Sequence, residues 1–449
     1  MNEIKVLTPT GMLGYGFPVD DFEKGLKCNP DVMIIDSGSV DSGPIKIGNG
    51  SMTCPESSYK AELVILLKAV HEHKIPLYIS SAGGAGSNVQ VDKIQGMVKE
   101  ICEQKGYSLS SASIYADIPK KVIKQKIVDG QVSPCGKSVP ALTLLELSSS
   151  TRVVAQMGME PFIEAMNNNV DVIIAGRAYD PAPLAAFCIN KGFDPALSWH
   201  MGKILECGGL CAQPSCQVML GTITRDHFIL EPLSEQSICT EISIAAHTMY
   251  EKSHPFLLPG PGGVLDLSAC KFEQIDERRV KVSGSQFKPT PYTIKLEGAK
   301  LVGYRSTTIA GVRDPNVIAA LDEIEMMANG YALQNFPHLK GKFKLIFHVY
   351  GRDGVLGPLE TDLTPAKEVC VVIEVLAETQ DIATEVCSKA RIALLHAPYK
   401  GRIATSGNCG FIFSPLEIPL GETYEFNIYH LMTVDDPCQY FPINYHQFG

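Results

Sequence analysis

Within the first 180 residues, short apolar runs alternate with stretches of helical period, and this alternation restricts the fold more than any other feature. The runs are Ile4–Leu7, Asp31–Ile35, Ile75–Ile79, Ser113–Ala116, Arg152–Met157 and Val170–Ala175. Between the second and third, Glu56–His73 places Leu63, Leu66, Leu67 and Val70 on one helical face. Val89–Gln104 and Glu160–Asn169 repeat the pattern. Strands alternating with helices predict a doubly wound, mainly parallel sheet. The runs are almost continuously apolar, as strands covered on both faces are.

At 449 residues the chain exceeds one ordinary core. Three regions are expected. Residues 1–212 form an α/β ligand-binding domain. Residues 213–335 form a β-rich domain or insertion, with strands at Val218–Thr224, Val280–Ser283 and Tyr292–Leu296 and turns at Pro259–Gly263 and Glu297-Gly298. Residues 336–449 form a small α+β module, read as two strands, a helix over Thr379–Leu395 and a further strand at Tyr424–Leu431.

The formal net charge of −10 argues against nucleic acid or an acidic membrane as partner. No apolar run is long enough to span a bilayer, and the N-terminus moves straight into a strand, so a cytoplasmic location is expected. The 14 scattered cysteines suit reduced thiols. Cys207, Cys211 and Cys216 are the one dense group, and their spacing is not that of a zinc site. A homo-oligomer is expected at this size.

Ligands of parallel sheets sit beyond the carboxyl ends of the strands, and here those ends carry polar and glycine-rich loops. The third run leads into Ser80-Ser-Ala-Gly-Gly-Ala-Gly-Ser-Asn88 and then a helix. Ser81, Gly83, Gly84, Gly86 and Asn88 thereby read as an anion cradle, with Ser87 or Asn88 as the helix cap. The loop is neither GxGxxG nor GK[ST], so a nicotinamide dinucleotide is not expected. Gly14 belongs to a second glycine loop. Asp36, Ser37 and Asp41 follow the second run; the two carboxylates can hold a divalent metal or divide acid and base duties. Arg177 can clamp a carboxylate, with Asp180 beside it. His200, Lys203 and Glu206 recur at helical spacing, a set able to abstract a proton beside a carbonyl and neutralise the charge that develops. No GxSxG and no catalytic cysteine signature supplies a nucleophile.

Taken together, the runs TPTGMLGYGF, DSGSVDSGP, SSAGGAGSN, IIAGRAYDPA, WHMGKILECGG, PGGVLDL, VKVSGS, KLEGAKLVGYR, HVYGRDGVLG and YHLMTVDDP resemble the acyclic terpene utilisation (AtuA-like) family along essentially the whole chain. The family's usual loop is closer to GRATD, and Tyr179 here stands in place of its Thr. The resemblance implies a catabolic context, an α/β fold, a carboxylate or acyl-CoA ligand and, in some cases, a small companion protein. The function expected from residues and resemblance is a lyase or hydratase acting on a small carboxylic acid or acyl-CoA. In it His200, Lys203, Glu206 and Asp36 are catalytic, and Arg177 and the glycine loop hold the anionic end. A metal-assisted hydrolase is a weaker expectation. A non-catalytic ligand-binding or scaffold subunit working with a companion protein is the alternative.

Overall fold

A computed structural model describes residues 2–250, 254–362, 364–406 and 408–449. The chain forms two compact units. The first comprises the residues up to Lys300 together with Phe426–Gly449, and the second Leu301–Glu425.

The first unit is built on a ten-stranded sheet. Its centre is five parallel strands in the order Ile4–Thr8, Val32–Asp36, Leu77–Ser80, Val172–Ala175, Leu109–Ile114. Antiparallel strands extend it on both sides, Met219–Ile223 against the first and Ile443–Phe448 against Leu109–Ile114. Alternate residues of the central strands enter two separate cores. Val6, Ile34, Ala112 and Ile173 pack with the helices Pro195–Leu205 and Ala182–Asn190, through Leu205 and Leu184. Leu7, Met33, Leu77 and Val172 pack with Leu63 and Leu66 of Glu56–His73 and Ile94 of Asn88–Lys105. Both faces are therefore covered, which is why these strands read as unbroken apolar runs. The α/β class expected from the alternation is the class observed.

Two local expectations are corrected. Arg152–Gln156 is a strand, but it pairs antiparallel with the start of Thr293–Val312 and does not join the parallel sheet. Apolar runs of the same length carry no mark of which partner they meet. Glu297-Gly298 is not a turn but lies within Thr293–Val312. A Cβ on Gly298 would come 2.9 Å from Ile428, so the glycine serves a close approach of side chain to backbone.

In the second unit, Phe343–Tyr350, Val369–Ala377 and the latter half of Thr293–Val312 form an antiparallel sheet. The helices Leu321–Asn335 and Gln380–His396 cover it through Ile324, Ala328, Val386 and Ala390. All cysteines are free thiols. Among the described residues no helix is long and apolar enough to cross a membrane.

Candidate functional site

Because the five central strands are parallel, their carboxyl ends and the loops that follow share one edge. The glycine loop is stitched into that edge. Ser81 N–H donates to Gly176 O at 3.1 Å, Ala82 N–H to Ala175 O at 3.0 Å, and Arg177 N–H to Gly86 O at 2.9 Å. Gly83, Gly84 and Gly86 are buried, all at positive φ. A Cβ on Gly84 would stand 2.2 Å from Thr53 Oγ1, and one on Gly86 2.2 Å from Arg177 N. The glycines thus allow the loop to press on the Thr53 side chain and on the Arg177 backbone.

The helix beyond the loop is capped by a reciprocal Ser87–Gln90 pair. Its first turn already holds an anion from the chain itself: Asn88 N–H donates to Asp117 Oδ1 at 2.9 Å. The Asn88 side-chain oxygen in turn accepts from the N–H groups of Ala116 and Asp117. The Gly14 loop is held in the same way, with N–H groups of Gly14 and Gly16 donating to Glu62 at 3.0 and 2.6 Å. Ser37 Oγ accepts from Gly83 N–H at 3.0 Å. Asp41 lies exposed on a short turn, its N–H bonded to Ser39.

Asp36, Asp180 and Glu206 line one small cavity, and Arg177 and Lys203 pair with Asp180 and Glu206 of that lining. Thr8, Ser80 and Gly202 are among the others that line the cavity, and its free space of ≈ 10 Å³ is about that of one water molecule. Ser80 Oγ and Ser37 N–H donate to Asp36 Oδ1 at 2.8 and 2.9 Å. Burial raises the Asp36 carboxyl well above the ordinary carboxylate range, and Asp180 adds to this; Ser80, Arg177 and Ser37 offset it only in part.

Lys203 and Glu206 form an ion pair whose side chains are 10% and 4% exposed. The other oxygen, Glu206 Oε2, is buried without a hydrogen-bond partner among the described residues. Burial holds Glu206 well above the ordinary carboxylate range; Lys203 pulls it down, and Asp180 and Asp36 push it up. Two neighbouring buried carboxyls held high in this way favour retention of a proton between them.

Arg177 does not stand open as a clamp. Its Nε lies 2.7 Å from Glu297 Oε2, and its Nη1 reaches Asp180, Ser81 and Ala178 O. Lys295 pairs with the same Glu297 at 3.0 Å. Nothing in the sequence marks Glu297 or Lys295 as members of this cluster. The available signal was a lone acid and a lysine in an apolar alternating stretch, and it is a weak one.

His200 sits on the same helix as Lys203 but is seated in a different shell. Its Nδ1 lies 2.8 Å from Ser285 Oγ and its Nε2 3.2 Å from Thr248 Oγ1. The rings of Phe228 and Phe272 meet it edge-on. Among the described residues no group of three or more His, Cys, Asp or Glu side chains is arranged to hold a metal ion.

A family model described as acyclic terpene utilisation family protein AtuA matches residues 49–408, and the chain belongs to that family. No curated protein and no solved structure matches the chain.

Proposed function

We propose that this member of the acyclic terpene utilisation family is a catabolic enzyme of the lyase or hydratase class, working on an acyl-CoA or related small carbonyl compound. The observation that carries the reading is Glu206, a buried carboxyl with one oxygen unbonded among the described residues, on a cavity shared with Asp36, Asp180 and Ser80. A carboxyl raised above its ordinary range by burial is better suited to proton transfer at physiological pH than an exposed one.

In the proposed step, the ionised member of the Asp36–Glu206 pair removes the proton α to the carbonyl. The protonated member supplies the proton with which the β-hydroxyl leaves as water. A C–H and a C–O bond break and a C=C bond forms; hydration is the reverse. Lys203, adjacent to Glu206 and Asp180, stabilises negative charge developing on the carbonyl oxygen. Arg177 and His200 position the site rather than react. With one proton retained between Asp36 and Glu206, the negative charges of Asp36/Glu206, Asp180 and Glu297 are balanced by Arg177, Lys203 and Lys295. Cations already matched by the chain's own carboxylates leave no positive charge in excess for a free carboxylate, which favours the neutral carbonyl of a thioester.

The purified chain is tested against 3-hydroxyacyl-CoA and 2-enoyl-CoA esters for loss or gain of water. Turnover that survives Glu206→Gln unchanged overturns the assignment. A second reading, a binding subunit that acts with a companion protein, is favoured by the closed form of the cavity. Turnover by the chain alone excludes it.

A further inference from the structure

A second small cavity is lined by residues that neighbour those of the first in sequence. It is lined by Tyr179, Trp199, Leu258, Gly260, Leu265 and Phe287, among others, and has the same free space of ≈ 10 Å³. Trp199 and Gly202 are one turn apart on the Pro195–Leu205 helix, and Glu206 follows one turn on. Tyr179 and Asp180 are consecutive. One helix face and one loop therefore line both cavities in succession, apolar at one end and acidic at the other. Tyr179 is the junction: its ring lies 5.5 Å from that of Trp199, and the charges of Glu206 and Asp180 reach its hydroxyl.

The outer wall of the apolar cavity is a hairpin, Leu257–Gly260 and Gly263–Asp266. It pairs with Gln286–Pro289 in a three-stranded sheet of its own, outside the ten-stranded one. Its glycines press on the aromatic rings. A Cβ on Gly260 would come 2.8 Å from Tyr179, and one on Gly263 2.3 Å from Phe287. At Gly260 and Gly263 the hairpin leaves no room for a side chain between itself and the rings.

We infer that the two cavities are the ends of one ligand channel and that the Leu257–Asp266 hairpin is its movable wall. The ligand carries its carbonyl to Glu206 and an apolar hydrocarbon chain to Tyr179, Trp199 and Phe287. This rests on the acyl-thioester reading above, and adds that the acyl group bears a hydrocarbon chain that the hairpin must lift to admit. Burial of the chain makes affinity rise with its length, by about fourfold per methylene that leaves water, until the channel is filled.

Trp199 is the only tryptophan, so its fluorescence reports the apolar end directly. The wild-type chain is titrated with coenzyme A alone and with acetyl-, butanoyl- and octanoyl-CoA. The expected result is no change in Trp199 emission with coenzyme A and a saturating change with the longer esters, at a midpoint that falls as the chain lengthens. Leu258→Phe, which narrows the cavity, is expected to raise the octanoyl-CoA midpoint at least about tenfold. An equal response to coenzyme A and octanoyl-CoA, or no response to any ester, overturns the channel. Failure of the chemistry is seen separately: turnover retained in Glu206→Gln contradicts the proton-transfer assignment and leaves the chain-length response as it was.

Discussion

Arg177 and Glu297 are 120 residues apart in sequence and joined by a 2.7 Å bond, their side chains 3% and 1% exposed. The pair ties the loop after Val172–Ala175 to the strand Thr293–Val312. It also settles where the charge of Arg177 is spent: with Glu297 and Asp180 as partners, the guanidinium is a strut for the wall of the cavity.

Removing one side of this pair leaves a buried charge uncompensated. Glu297→Ala is expected to cost about 3–5 kcal/mol of stability, read from urea unfolding. Burial works against ionisation of Glu297, but Arg177 and Lys295 outweigh it and hold its carboxyl below the ordinary value. Its contribution is therefore present above the unfolded value of about 4.3 and is lost as pH falls through the lower folded value. An unchanged urea midpoint in the variant contradicts this.

Asp36 has the opposite sign. Its carboxyl is raised by burial and by Asp180, so the folded state holds a proton that the unfolded state releases. As pH rises above the unfolded value of about 3.9, stability falls, by up to about 1.4 kcal/mol per pH unit until the folded value is passed. Asp36→Asn keeps an oxygen for the bonds from Ser80 and Ser37 and removes the proton. Melting temperatures measured from pH 5 to pH 8 should fall less in the variant than in the wild type. Parallel curves would show that Asp36 ionises as freely in the fold as out of it.

Two glycine-to-alanine changes separate strained from permissive positions. Gly86 has φ +62° and no space for a Cβ. Gly86→Ala should cost about 3 kcal/mol or more, from backbone strain and the clash with Arg177 N. Gly96 is an exposed helical residue with nothing within 4 Å of the added carbon. Gly96→Ala should stabilise by up to about 1 kcal/mol. Chemical denaturation of the two side by side checks both signs.

The parallel sheet was legible because burial on both faces writes itself as continuous apolar runs, and its loops were legible because glycines, serines and acids end those runs. What could not be read was the partner of each run and each charge. Arg152–Gln156 looks like its neighbours and pairs elsewhere. Glu297 beside Gly298 looks like a turn and is a strand residue facing an arginine more than a hundred positions away. The glycine loop has the composition of an anion cradle, but in the fold Asp117 already occupies the helix N-terminus. His200 lies on the helix that Glu206 ends, and both are residue types associated with proton transfer; their surroundings set them apart.

His200 is held by hydroxyls on both ring nitrogens in an aromatic shell. His200→Ala should lose about 2–4 kcal/mol of stability through lost packing and unpaired hydroxyls. The folded fraction should keep turnover within a few-fold of wild type. A loss of turnover matching that of Glu206→Gln, in a variant that still folds, would place His200 among the reacting groups.

Proton transfer through Glu206 is followed most directly by isotope exchange. Purified wild-type and Glu206→Gln chains are incubated with 3-hydroxyacyl-CoA esters in D2O, and deuterium at the α carbon is counted by mass spectrometry. The wild type is expected to exchange, and the variant about a hundredfold or more slowly. Equal exchange rates in the two proteins would contradict proton transfer through Glu206.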